Sequence, residues 1–275
     1  MRLYKKEKID GVKVYTILGI RFPKKNRIRR LEQRIDKLEK MLKTDLNLIL
    51  KYISGGVELH PAYGCERVII DDYHEVLNCP TIFPNYYYEH IVRYQFAVNK
   101  IKKGDVVLDL ACGSGYGSKL VKLETEAHSV IGADIVKYII DFNSRRNIYP
   151  GLDFVQADGT RKEYFKCAQF DKIISFETIE HVSERMAEDM LANFYDWLRE
   201  DGVLICSTPN EKSVPYIING KITNQYHFKH YTEEEMILKL RNCGFREMSV
   251  FYQDAECISE CENVNSQYLV FLAKK

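Results

Sequence analysis

Cysteine pairs at metal-ligand spacing, long apolar runs and a phosphate-binding lysine turn are all missing from this 275-residue sequence. It has eight cysteines but no Cys-x-x-Cys, and Cys257-x-x-x-Cys261 is the only close pair. Neither a zinc knuckle nor a disulfide framework is indicated, so reduced thiols in a cytoplasmic protein are expected. No apolar run approaches the ~20 residues that cross a bilayer. The opening Met1-Arg2-Leu3-Tyr4-Lys5-Lys6-Glu7-Lys8 lacks the apolar centre of a secretory signal. Membrane spanning and secretion are therefore not expected. No Gly-Lys-Ser/Thr is present, which excludes a Walker A nucleotide site. Internal repeats and low-complexity tracts are absent as well.

What is present begins with an uneven charge. Residues 1–43 hold 15 Lys+Arg against 5 Asp+Glu, leaving 25 basic and 34 acidic residues in the rest. Such an arm suits an anionic membrane surface, nucleic acid, the acidic body of the same chain or simply solvent. With an acidic body and no separate reading module, a nucleic-acid partner is not expected. Residues 1–27 form this basic leader, in which Ile9 to Phe22 alternates loosely enough for one or two short strands. From Ile28 the pattern is helical: Ile28, Leu31, Ile35, Leu38 and Leu42 are spaced as a heptad seam. A seam of this length packs against its own domain or pairs with a second copy, which allows a homodimer. Residues 44–84 then bridge to the main body, punctuated by Gly55-Gly56, His60-Pro61, Cys79-Pro80 and Phe83-Pro84.

Asn85 to Val98 reads as a helix, with Tyr87, His90 or Ile91, and Tyr94 on one face. An aromatic stripe of this kind usually enters a core, yet its place just before a glycine turn also lets it lie over a ligand. Beyond Gly104 strands and helices alternate. Strands are expected at 105–110, 129–134, 152–157, 170–176, 202–208, 245–252 and 267–273, with helices at 118–124, 136–146, 184–199 and 232–243. This rhythm predicts an α/β, Rossmann-like, mostly parallel sheet covered on both faces. Thr232-Glu233-Glu234-Glu235 opens the last helix as a capping box and Gly244 closes it.

The stretch Val106-Val107-Leu108-Asp109-Leu110-Ala111-Cys112-Gly113-Ser114-Gly115-Tyr116-Gly117 is a buried strand entering a glycine turn, where a ligand can approach bare backbone. Ligands of open α/β sheets bind outside the carboxyl ends of the strands. The Gly-x-Gly-x-Gly spacing departs from the dinucleotide fingerprint, and Asp109 suits a ligand bearing a positive charge better than a pyrophosphate. Asp134 ends the second strand, 21 positions after Gly113, where a carboxylate accepts from two ribose hydroxyls. Asp158, before Gly159, ends the third and could accept from an adenine amino group. One carboxylate at a strand tip is ordinary surface; three at successive tips make a site.

Val107 to Gly115, Gly132-Ala133-Asp134, Asp158-Gly159 and Phe170 to Val182 resemble the successive motifs of the class I S-adenosylmethionine-dependent methyltransferases. The resemblance covers about residues 85–275, taken here as the catalytic domain, and implies a seven-stranded sheet whose final strand is antiparallel. It implies S-adenosyl-L-methionine as cofactor, with Asp109, Gly113 and Gly115 bordering the methionine moiety, Asp134 and Ile135 the ribose, Asp158 and Gly159 the adenine, and Glu177 and Thr178 the edge. The stretch Glu89-His90-x-x-Arg93-Tyr94-x-Phe96-Ala97 resembles a cofactor-covering helix of some of these enzymes, which brings in Tyr88 and Arg93. Lys8 to Phe22 is similar to the beginnings of enzymes and glycosyltransferases of bacterial surface-polysaccharide pathways, which implies capsule or lipopolysaccharide sugars.

A methyl-accepting hydroxyl is neutral at pH 7 and gains from a base. His181, His227 and His230 are the candidates, the last two in the long connection after Pro209-Asn210. No metal is required on this reading, because Glu177 with Glu180 is too little for a magnesium cluster. A sugar or sugar-nucleotide hydroxyl is the expected acceptor. A quinone-like, lipid or amine acceptor remains open, as do a nucleotide-binding oxidoreductase and a non-catalytic interaction module.

Overall fold

The computed structural model describes residues 4–9, 12–17, 20–22, 70, 73–78, 85–255, 257–261 and 266–275. The heptad seam and most of the bridging region lie outside these residues. The chain divides into two compact units, 1–61 and 62–275.

In the first unit, strands β1 (Tyr4–Ile9), β2 (Val12–Ile17) and β3 (Ile20–Phe22) make an antiparallel meander. Ile9 to Phe22 thus holds two short strands, β2 and β3, within the expected range, and β1 precedes them.

The second unit is built on one large sheet. Its helices are α1 (Tyr73–Asn78), α2 (Asn85–Val98), α3 (Tyr116–Glu124), α4 (Lys137–Arg146), α5 (Glu184–Trp197) and α6 (Glu233–Cys243). Its strands are β4 (Val106–Leu110), β5 (Ser129–Asp134), β6 (Leu152–Gln156), β7 (Phe170–Ser175), β8 (Leu198–Pro209), β11 (Glu247–Gln253), β12 (Ile258–Ser259) and β13 (Tyr268–Lys274). A separate hairpin pairs β9 (Ile217–Ile218) with β10 (Lys221–Ile222). The large sheet runs β12-β11-β13-β8-β7-β4-β5-β6. Strands β8, β7, β4, β5 and β6 are mutually parallel, and β13 inserts antiparallel to both β8 and β11.

Among the described residues the sheet therefore has eight strands, not seven. The extra strand, β12, pairs only Ile258 and Ser259 with Gln253 and Tyr252. Two residues at an edge leave no alternation to read.

Both faces are buried, and the alternation along each strand shows it. Leu108, Ile173 and Leu204 enter one core with Met190, Leu191 and Phe194 of α5 and Met236 and Leu240 of α6. Their neighbours Val107, Ile174 and Ile205 enter the other, with Ile91, Tyr94 and Ala97 of α2 and Leu120 and Val121 of α3. Ile70, Tyr73 and Val76 join this second core, so the bridging segment ends as part of the domain. The expected capping box is present, with Thr232 accepting from Glu235 N and Gly244 left-handed at φ 110°. Among the described residues no helix is long and apolar enough to cross a membrane.

Candidate functional site

The turn after β4 is shaped by backbone that few side chains tolerate. Ala111, Gly113 and Gly115 all have positive φ, at 61°, 53° and 76°. A non-glycine residue held there stores strain, as functional turns often do. The turn is pinned from β5 and α4: Gly113 N donates to Asp134 Oδ2 at 3.1 Å, and Asn143 Nδ2 donates to Gly113 O at 2.8 Å. Val136 N donates to the other Asp134 oxygen at 2.9 Å. Asp134 therefore ties two strand tips together while lining the crevice between them.

That crevice lies outside the carboxyl ends of β4, β5, β6 and β7. Its wall includes Gly113, Asp134, Ile135, Asp158, Gly159, Glu177, Thr178 and His181 of the expected residues. Asp158 Oδ1 accepts from both Thr160 N and Thr160 Oγ1, at 2.9 and 2.7 Å, which leaves Oδ2 for a ligand group. Glu177 is another strained residue, at φ 47°, held by Ser207 Oγ, which accepts from its N–H at 3.1 Å and donates to Oε1 at 2.6 Å.

Asp109, Gly115, Tyr88 and Arg93 do not belong to the wall. Asp109 shares the sheet face of Val107 and accepts from Tyr94 Oη at 2.9 Å and Ser118 Oγ at 2.5 Å. It holds Tyr94, and Tyr94 lines the crevice. Gly115 is a packing glycine: a Cβ there would stand 2.9 Å from Asn143 and from Phe154. Arg93 is fully buried, donates to Gln253 Oε1 at 2.7 Å and lies 4.5 Å over the Tyr268 ring. Tyr88 is half-buried on α2.

The crevice also takes residues that local pattern did not single out. Tyr116, Phe176, Met186 and Met190 complete its apolar side. Met186 and Met190 sit four apart on α5, the spacing of any core face, so nothing local marks them. His90 and Tyr94 do come from the aromatic face of α2, and Tyr94 packs edge-on against Tyr116 and Phe176 with centroids 5.4 and 5.0 Å apart. His90 Nδ1 is 3.1 Å from Tyr116 Oη. Burial, then the charge of Arg93, holds the His90 pKa well below the usual imidazole value, so its ring is neutral.

Burial raises the Asp109 carboxyl to about 7, against the lowering effect of the Ser118 and Tyr94 hydrogen bonds. The folded state thus binds this proton more tightly than the unfolded chain. The sign follows: the group's contribution is most favourable below its unfolded pKa of 3.8 and is lost as pH rises toward 7. Asp109→Asn should therefore gain on the wild type by about 1.4 kcal/mol per pH unit across that window. Urea unfolding of both proteins at pH 5, 6 and 7 measures the gap, and a gap independent of pH refutes the assignment.

On the far side of the crevice, beyond β7, lie the histidines. His181 is in the wall, and its Nδ1 is 3.1 Å from Tyr226 O. His227 packs edge-on against it, ring centroids 4.6 Å apart. His230 lies behind, its Nε2 2.6 Å from His227 Nδ1 and its Nδ1 2.6 Å from Val214 O. The two histidines of the long connection thus back the one in the wall. Burial lowers the His230 pKa. The connection is anchored at its two ends, where Asn210 and Tyr231 form a parallel bridge, and Tyr216 Oη donates to His227 O at 2.9 Å.

Comparison with known proteins agrees with this architecture. Residues 107–202 match the family model described as a methyltransferase domain. Among solved structures, an S-adenosylmethionine-dependent methyltransferase from Thermotoga maritima, described as a possible histamine N-methyltransferase, superposes with a TM-score of 0.56 at 17% identity. The match covers 74% of this chain and 97% of that one. An S-adenosylmethionine-dependent methyltransferase from Archaeoglobus fulgidus gives 0.54 at 18% identity, over 74% and 100% of the two chains. A TehB-like enzyme from Corynebacterium glutamicum gives 0.52 at 19%, over 74% and 95%. At such identities the likeness is one of fold. No curated protein sequence matches the chain.

Proposed function

We propose that the protein is an S-adenosylmethionine-dependent methyltransferase that transfers a methyl group to a hydroxyl of a small polar acceptor, a sugar or sugar nucleotide; the match of residues 107–202 to a methyltransferase-domain model and the fold shared with S-adenosylmethionine-dependent methyltransferases support this. The observation that carries the acceptor class is the imidazole group at the far side of the crevice, with His181 in the wall and His227 and His230 behind it.

The residues of the crevice fit the cofactor. Gly113 leaves open backbone, since a Cβ there would meet nothing within 4 Å. Asp134 and Asp158 present carboxylates at the tips of β5 and β6, the first for ribose hydroxyls and the second for the adenine amino group. The apolar side formed by Tyr116, Phe176, Met186 and Met190 excludes water. When bound, S-adenosylmethionine supplies a methyl group already activated by its sulfonium. The chain then has to orient the acceptor oxygen and take its proton.

His181 suits that task. A carbonyl can only accept, so Tyr226 O requires the proton on His181 Nδ1, and in the neutral ring Nε2 carries the lone pair. The leader's resemblance to surface-polysaccharide enzymes supports a capsule or lipopolysaccharide sugar. The polar group of Asn224, His227 and His230 behind His181 supports it too, where a quinone or lipid would ask for an apolar tunnel.

Calorimetry tests the cofactor: S-adenosylhomocysteine is expected to bind at micromolar levels and NAD not at all, and the reverse result removes the proposal. Methyl transfer from labelled S-adenosylmethionine, run over a panel of sugar nucleotides, tests the acceptor. On the acceptor found, His181→Ala should lower kcat by about 100-fold while S-adenosylhomocysteine affinity stays within twofold. Unchanged turnover would end the base assignment.

A further inference from the structure

Glu180, His181 and His227 each bring one donor atom to within 4.8 Å of the other two. Hydrogen-bond logic fixes which atoms these are. His230 Nδ1 faces the Val214 carbonyl at 2.6 Å, so Nδ1 holds the proton and Nε2 accepts. His227 Nδ1, 2.6 Å from that acceptor, must then donate, which makes its own Nε2 the basic nitrogen. The same reasoning at Tyr226 O makes Nε2 the basic nitrogen of His181. Two imidazoles with rings at 90° therefore turn the same kind of atom to one place. Asn224 Nδ2 donates to His227 Nε2 at 3.0 Å, a neutral contact that an ion could displace.

The third donor carries an independent sign of a missing partner. Glu180 is 0% exposed; its Oε2 accepts from Thr208 Oγ1 at 3.3 Å, and its Oε1 has no hydrogen-bond partner. A buried carboxyl oxygen left unsatisfied is costly, because it has given up its hydrogen bonds to water for nothing. Across the cluster His181 Nε2 lies 4.0 Å from Oε1, itself a basic nitrogen and too far to donate. A cation between them would give Glu180 Oε1 the partner it lacks.

We propose that Glu180, His181 and His227 bind one divalent transition-metal ion through Glu180 Oε1 and the two Nε2 atoms. Two imidazoles and one carboxylate suit zinc, manganese, iron(II), cobalt or nickel better than calcium or magnesium. His230, itself fixed by Val214 O, is the outer partner that orients His227, and Tyr226 O does the same for His181. Three protein ligands leave positions open, and His181 turns the site toward the crevice. The ion's role rests on the methyl-transfer reading: there it would hold the acceptor oxygen and lower its pKa, with His181 as a ligand in place of a base. The binding itself does not depend on that reading.

The test uses untagged full-length protein stripped with a chelator and titrated with Co2+, with neither cofactor nor acceptor present. A visible absorption band that saturates at one equivalent and is displaced by Zn2+ is expected. His181→Ala and His227→Ala should each abolish it, and His230→Gln should weaken Co2+ binding about 10- to 100-fold, as loss of an outer partner does. Glu180→Gln should also abolish the band; because that side chain is buried, the two half-buried histidines keep the test decisive should this variant unfold. No band in the wild type overturns the site, as does a band undiminished in both histidine variants. Calorimetry with S-adenosylhomocysteine on the same sample separates the two ideas. Binding of S-adenosylhomocysteine without Co2+ uptake removes the metal alone; Co2+ uptake without it removes the methyl-transfer reading alone.

Discussion

Asp134→Asn should weaken S-adenosylhomocysteine binding by about 100-fold and lower the melting temperature by a few degrees. In the wild type its two oxygens each accept a backbone N–H, from Gly113 at 3.1 Å and Val136 at 2.9 Å, and the residue lines the crevice. Asparagine keeps one acceptor oxygen and sets an amide N–H against a backbone donor. On the reading proposed above, ribose hydroxyls bind the remaining lone pairs of a charged acceptor, and such bonds contribute about 1.5–3 kcal/mol each. Losing about 3 kcal/mol corresponds to the hundredfold change. Asp158→Asn should cost less, because its Oδ1 is already committed to Thr160 and only Oδ2 is offered. Calorimetry on both variants, alongside thermal unfolding, separates lost contacts from a collapsed turn. An affinity for Asp134→Asn within threefold of the wild type would remove Asp134 from the ribose site.

The second large effect is expected at Gly117, which is not itself in the crevice wall. A Cβ there would lie 2.0–2.3 Å from three ring carbons of Tyr94. Tyr94 cannot step aside: it is 4% exposed, packed edge-on between Tyr116 and Phe176, and tied to Asp109 at 2.9 Å. Gly117→Ala should therefore destabilise the fold by about 3 kcal/mol, the upper end for overpacking. For a domain of this size that lowers Tm by roughly 6–12 °C. Because Tyr94 lines the crevice, S-adenosylhomocysteine binding should fall as well. Gly113→Ala makes a useful contrast. Its Cβ would meet nothing within 4 Å, but φ is +53°, so the cost is conformational, about 1–2 kcal/mol. Combining Gly117→Ala with Tyr94→Ala should cost much less than the sum of the two single changes, since the clash goes with the ring. Strict additivity would contradict the packing argument.

These two glycines stand four positions apart, one in the turn and one at the start of α3, and look alike as letters. The difference between them comes from α2, which lays Tyr94 across Gly117 and leaves Gly113 open. The same limit applies to Asp109. Its place before the glycines suggested contact with the ligand, but the two-residue period of β4 sends it to the face of α2 and α3, where it holds Tyr94 and Ser118. The histidine group shows the limit most plainly. His181 and His227 are 46 positions apart, and only the return of the 210–231 connection over the sheet edge sets them face to face.

What the sequence by itself determined is whatever rests on short-range rules. The alternation of strands and helices comes from hydrophobic periods, the capping box at Thr232 and Glu235 from a three-residue spacing, and the parallel sheet from the handedness of its crossovers. The carboxylates at successive strand tips belong with these, because a parallel sheet must bring consecutive carboxyl ends to one edge. What only the tertiary structure decided is which side chains meet there. Segments far apart in the chain bury one another, and that burial leaves Glu180 Oε1 without a partner, assigns the ring protons of His181, His227 and His230, and adds an edge strand of two residues at β12.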